Sequence, residues 1–73
     1  DLLERKMISV ETPFGVVQVK AALRDGKPFR ISPEYEICRK IASEKALPLR
    51  EVYHIVRKAS DDLIRQSVFK DRY

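Results

Sequence analysis

Two runs of alternating apolar and polar residues, joined by one short connection, restrict this chain more than any other feature. From Lys6 to Thr12, Ile8, Val10 and Thr12 fall on one side and Met7, Ser9 and Glu11 on the other. In the run that ends at Leu23, Val17, Val19, Ala21 and Leu23 share a side while Gln18 and Lys20 oppose them. A period of two belongs to a strand with one buried face, because successive side chains point to opposite sides of the pleat. Pro13-Phe14-Gly15 lies between the runs and supplies a proline that cannot donate to a ladder and a glycine that accepts positive φ. The two runs therefore predict a β-hairpin. Asp25-Gly26 suits a second tight turn, after which Phe29 and Ile31 are expected on one side of a third strand and Arg30 and Ser32 on the other.

The remaining chain changes period. Ser32-Pro33-Glu34 reads as a helix start, with an N-capping hydroxyl, a proline at the first helical position and an acid near the positive end of the dipole. That helix should turn Tyr35, Cys38, Ile41 and Ala42 to the core. Pro48 opens a second helix, in which Leu49, Val52, Val56, Ala59 and Leu63 keep a three-to-four spacing that extends to about Phe69. The fold class is α+β, a three-stranded antiparallel sheet followed by two helices in the order β-β-β-α-α. Such a sheet has two bare edges, and an edge strand offers unpaired backbone groups to another strand.

At 73 residues there is room for a single module and one modest core, since chains of this size bury only about 60% of the surface they expose when unfolded. No staple is present: the lone Cys38 cannot make an internal disulfide, and one cysteine with one histidine cannot complete a zinc site. Added stability is expected from neighbouring chain or another subunit. The start at Asp1, without an initiator methionine, is read as that of a fragment. Apolar stretches reach only two to three residues, so neither a spanning segment nor a signal peptide is foreseen and a cytoplasmic setting is expected, with no membrane partner. A formal net charge of +4 favours anionic partners such as nucleotides or nucleic acid.

Local catalytic motifs are missing: there is no glycine-rich phosphate loop, no paired histidines and no cysteine cluster. His54 reads as a surface residue and Cys38 as a small buried hydrophobe. Lys20 and Arg30 oppose the apolar set, and Lys6 opens the first strand. If the strands pair as read, these three bases gather on one sheet face as phosphate contacts, Arg30 in bidentate fashion; a merely solvated face is the simpler alternative. Glu34 and Glu36 are weak candidates for a hard cation such as Mg²⁺ or Mn²⁺. The two helical segments, near residues 34–46 and 48–69, also have the cadence of a helix-turn-helix, which would make nucleic acid the partner. The absence of glycine in the turn, and Glu51, Asp61 and Asp62 among the bases, oppose that reading.

The strings ERKMISVETPFGVVQVK and PEYEICRKIASEKALPLREVY, at their observed separation, resemble the C-terminal region of the nickel insertion proteins of nickel-pincer nucleotide synthesis, the CTP-dependent cyclometallases that load the cofactor of lactate racemase. The matching positions are Arg5, Thr12, Gly15, Val17 and Lys20, then Pro33, Glu34, Tyr35 and Cys38, then Pro48, Leu49 and Val52. The chain departs from the family at Ile37, where an acid is common, and at Ala46-Leu47, where a glycine often precedes the proline-leucine pair. The resemblance implies a C-terminal piece of a larger protein and a place in a larger ferredoxin-like domain. It further implies CTP with Mg²⁺ or Mn²⁺, nickel as substrate, homo-oligomeric assembly and dependence on the missing N-terminal part. The parent is then a CTP-dependent nickel chelatase of the lyase class, and the isolated segment is expected to be inactive.

Overall fold

The computed structural model describes residues 4–71, with side chains described for residues 4–66. The elements are β1 (Glu4–Thr12), β2 (Gly15–Arg24), β3 (Lys27–Pro33), α1 (Tyr35–Lys45) and α2 (Leu49–Asp71). The strands form one antiparallel sheet in the order β1-β2-β3, as the alternation predicts.

Each turn has a local cause. In the first, Thr12 Oγ1 accepts from the Phe14 amide at 3.0 Å and donates to the Gly15 carbonyl at 2.7 Å, while Gly15 takes φ 100°. In the second, Asp25 and Gly26 take φ 55° and 76°, the positive pair that matches the right-handed twist of the flanking strands. Registers running from Glu4 opposite Leu23 to Thr12 opposite Gly15 then put Val10, Val17, Val19, Ala21 and Leu23 on one buried face. α2 packs across β3 and β1, and α1 packs against α2. Val19, Cys38, Val52 and Val56 are all fully enclosed. Among the described residues no helix covers the opposite sheet face, and Arg5, Met7, Ser9, Gln18, Lys20, Arg30 and Ser32 on it are exposed.

Three expectations fail, each for a physical reason. Phe29 is not a core residue. The β2–β3 register steps from Leu23 opposite Pro28 to Ala22 opposite Arg30, so Phe29 is the extra residue of a β-bulge and stands half-exposed beneath Arg24, whose guanidinium lies 4.2 Å from the ring centroid. The first helix starts later than Ser32-Pro33, because Pro33 is buried opposite Val19 at the end of β3 and Glu34 becomes the N-cap. Tyr35 thereby becomes the first helical residue, and it is exposed, since side chains lean toward a helix's N-terminus and here lean off its end. The apolar spacing of α2 also passes over Ser60. This residue is fully buried on the face of Val52 and Val56, and its hydroxyl is satisfied by donating to the Val56 carbonyl at 2.8 Å.

α1 closes on Ala46 at φ 55°, ψ 45°, with the Ala46 and Leu47 amides both donating to the Ala42 carbonyl. The left-handed region costs an alanine about 1–2 kcal/mol. Part of the gain from glycine is offset by the greater freedom it brings to the unfolded chain. Ala46→Gly is therefore expected to stabilise the fold by up to about 1 kcal/mol, seen as a rise of about 4–8 °C in melting temperature by circular dichroism.

Candidate functional site

The open sheet face is organised in transverse rows. Arg5 lies opposite Ala22, and Ala22 lies opposite Arg30, so two arginines flank one alanine across three strands; Met7, Lys20 and Ser32 form the next row. Residues directly opposite one another share a face with Cβ atoms about 4.5–5.5 Å apart. The short Ala22 side chain leaves a depression of about 110 Å³ lined by Arg5, Lys20, Ala21, Ala22 and Arg30. At about 30 Å³ per water, that volume suits a single phosphate group better than a whole nucleotide.

Lys20 is held by Glu34, Nζ to Oε1 3.4 Å. Among the described residues, neither Arg5 nor Arg30 has a carboxylate within ion-pair distance. Arg30 instead lies 6.0 Å from the Phe29 ring centroid. Two uncompensated guanidiniums and a singly compensated ammonium around a shallow floor can receive an oxyanion, with guanidinium donors in the fork geometry that phosphate accepts.

The sequence-derived set is thus partly assembled. Lys20 and Arg30 meet on the open face. Lys6 does not join them: its register partner is Ala21, a core-facing residue, so Lys6 stands on the helix side of the sheet at the β1 edge. Arg5 takes its place, and its signal lies in the alternation, which groups position 5 with Met7 and Ser9 and position 6 with Ile8 and Val10. Glu34 and Glu36 do not converge. The first pairs with Lys20 and the second with Arg39 at 3.7 Å, and no group of three or more His, Cys, Asp or Glu among the described residues is placed to hold a metal ion.

His54 is exposed on α2, as expected of a surface residue. Cys38 is fully buried, and burial pushes its thiol pKa up. A thiol reagent is therefore expected to modify Cys38 only after unfolding in denaturant, with little reaction in the native protein at pH 8. Because the folded pKa is the higher one, the unfolded chain loses this proton first. The thiol's contribution to stability is complete below the ordinary thiol range and is lost as pH rises through the raised folded value. Urea midpoints measured on either side of that range check the sign.

On α2, Arg57 pairs with Asp61 at 4.0 Å and Arg65 with Asp62 at 3.8 Å, while Arg50 and Lys58 are exposed. The two acids offset part of the positive charge that docking on DNA requires. Beside α2, an open groove of about 620 Å³ runs along the end of β1, with Val10 and Glu11 on one wall and Ala59, Asp62 and Leu63 on the other. No helix among the described residues is long and apolar enough to cross a membrane.

Residues 1–53 match the family described as nickel insertion protein. The chain is 53% identical over 58 residues to the pyridinium-3,5-bisthiocarboxylic acid mononucleotide nickel insertion protein of Thermotoga petrophila, covering 78% of this chain and 15% of that protein. It is 33% identical over 63 residues to the protein of the same name from Desulfitobacterium hafniense, covering 86% of this chain and 16% of that one. The chain thus spans about 15% of the length of the curated relatives it matches. Among solved structures it is similar to LarC2, the C-terminal domain of a cyclometallase involved in synthesis of the NPN cofactor of lactate racemase, in its apo form. The TM-score is 0.68 at 34% identity, covering 84% of this chain and 42% of that domain.

Proposed function

The chain belongs to the nickel insertion protein family, and from that premise we propose that it is one part of a CTP-using enzyme that inserts nickel, its substrate, into the nickel-pincer nucleotide cofactor. Within that enzyme its open sheet face holds phosphate. The observation behind this reading is the convergence of Arg5, Lys20 and Arg30 around the alanine floor. Arg5 and Arg30 grip phosphate oxygens from two sides, and an arriving anion competes with Glu34 for Lys20.

Among the described residues no acids are grouped to hold a resident Mg²⁺ or Mn²⁺: Glu34 and Glu36 pair with different bases. In this reading turnover requires the rest of the protein, since the chain spans about 15% of its relative's length. A larger ferredoxin-like domain, a C-terminal position, homo-oligomeric assembly and a cytoplasmic setting belong to the same proposal. Calorimetric titration of CTP with Mn²⁺ into a nickel insertion protein carrying this segment tests it. Saturable heat that depends on the three bases supports the reading, and heat indifferent to them overturns it.

A further inference from the structure

The depression around Ala22 has room for a phosphate but not for the sugar and base that a nucleotide's phosphate carries. Those parts must lie elsewhere on the open face, and two directions along β2 are available. Toward Gln18 the face offers Met7, Ser9, Gln18 and Ser32, with no ring among them. Toward Arg24 it offers the side chain of Phe29.

The bulge puts that ring there. Regular alternation back from Arg30 would send residue 29 to the core side; as the extra residue of β3, Phe29 is instead 44% exposed, with the guanidiniums of Arg24 and Arg30 at 4.2 Å and 6.0 Å from its ring centroid. Bulges re-aim side chains next to sites in this way. Arg24 alternates with buried Leu23 and so shares the open face with Ala22, two residues or roughly 7 Å further along β2. That is on the order of the span from a nucleotide's first phosphate to its base. The other aromatic side chains described are placed differently: Phe14 and Tyr53 pack against the core, and Tyr35 opens α1.

We propose that Phe29 is the stacking platform for the base of the nucleotide whose phosphate enters the depression of Arg5, Lys20 and Arg30. The inference rests on the phosphate-binding reading of this face and adds the part of the site that meets the base. Arg30 stands at the limit of cation–π reach from the ring, so turning its fork to phosphate uncovers ring surface at little cost. Arg24 stays against the ring and fixes its orientation. Phosphate and base are thus taken up together, through Arg30 and the residue before it.

The test compares CTP with inorganic triphosphate, each with Mn²⁺, by calorimetric titration into a nickel insertion protein carrying this segment. Phe29→Ala should weaken CTP by about 5-fold or more, the loss of one base–aromatic stack, and leave inorganic triphosphate within about 2-fold. Phe29→Tyr keeps the ring and should hold CTP within about 2-fold of the unsubstituted protein. Removing Arg5 and Arg30 together should weaken both ligands. If both ligands need the arginines but CTP is indifferent to Phe29→Ala, the stacking platform is overturned and the phosphate reading stands. Equal loss of CTP and inorganic triphosphate in Phe29→Ala would also overturn it, by showing that the ring acts only through its arginines. Binding of both ligands without the arginines, or of neither ligand to the unsubstituted protein, overturns the phosphate reading and this inference with it.

Discussion

Val19→Asp is expected to abolish the cooperative unfolding transition of the chain at 25 °C, whereas Gln18→Asp, one residue away, should shift its stability by less than about 1 kcal/mol. Val19 lies at the centre of the middle strand, opposite Ile8 and Pro33, with no exposed surface. Aspartate there forfeits about 1.5–3 kcal/mol of side-chain burial and adds an unpaired carboxyl in an apolar layer, at a further cost of several kcal/mol. Globular stability of roughly 0.05–0.15 kcal/mol per residue gives a domain of this size about 4–11 kcal/mol, and its limited burial favours the lower half of that range. Gln18 points to the open face, where its amide donates to Ser9 Oγ, and a carboxylate in its place stays in water. Urea titration followed by far-ultraviolet circular dichroism distinguishes the two variants. Equal loss from both would contradict a sheet with one buried face.

The parts of the fold set by nearest neighbours are legible in the order of the residues alone. Period-two alternation marks Val17, Val19, Ala21 and Leu23 as the inner face, and Asp25-Gly26 marks a tight turn because both residues tolerate positive φ. The spacing of Val52 and Val56 likewise marks the face of α2 that is fully enclosed. What the residue order hides depends on pairing between elements. A bulge is a property of two strands in register, so Phe29 has the alternation of a core residue and loses that place only through the step that sets Ala22 opposite Arg30. Tyr35 has core spacing and fails only because Pro33 is drawn into the sheet and moves the helix start.

The basic site is half legible. Lys20 and Arg30 are placed by their opposition to apolar neighbours. Charge alone groups Lys6 with them, although its own alternation sets it with Ile8 and Val10, and Arg5 is easily missed because it lies ahead of the first clear apolar alternation. Ser60 is hidden for a different reason: a hydroxyl that satisfies itself on the preceding turn leaves no polar demand for a partner and so no signal.

Removing Arg5 and Arg30 together is the change expected to affect ligand binding most. Each charge-assisted contact to phosphate contributes about 1.5–3 kcal/mol, so Arg5→Ala, Lys20→Ala and Arg30→Ala should each weaken CTP by about 10-fold or more. The Arg5→Ala, Arg30→Ala pair should weaken it by about 100-fold or more, since the two arginines flank Ala22 and no carboxylate among the described residues compensates them. Lys20→Ala is expected to show the smallest effect of the three, because Glu34 already shares its charge. Lys6 faces the other side of the sheet and Arg57 is engaged by Asp61, so Lys6→Ala and Arg57→Ala should leave the affinity within about 2-fold. The deciding measurement is the dissociation constant of CTP with Mn²⁺, read by calorimetry for a nickel insertion protein carrying this segment and for these variants. The account predicts a loss confined to Arg5, Lys20 and Arg30 and greatest for the arginine pair; CTP binding that survives the loss of both arginines, or that depends on Lys6 instead, would contradict it.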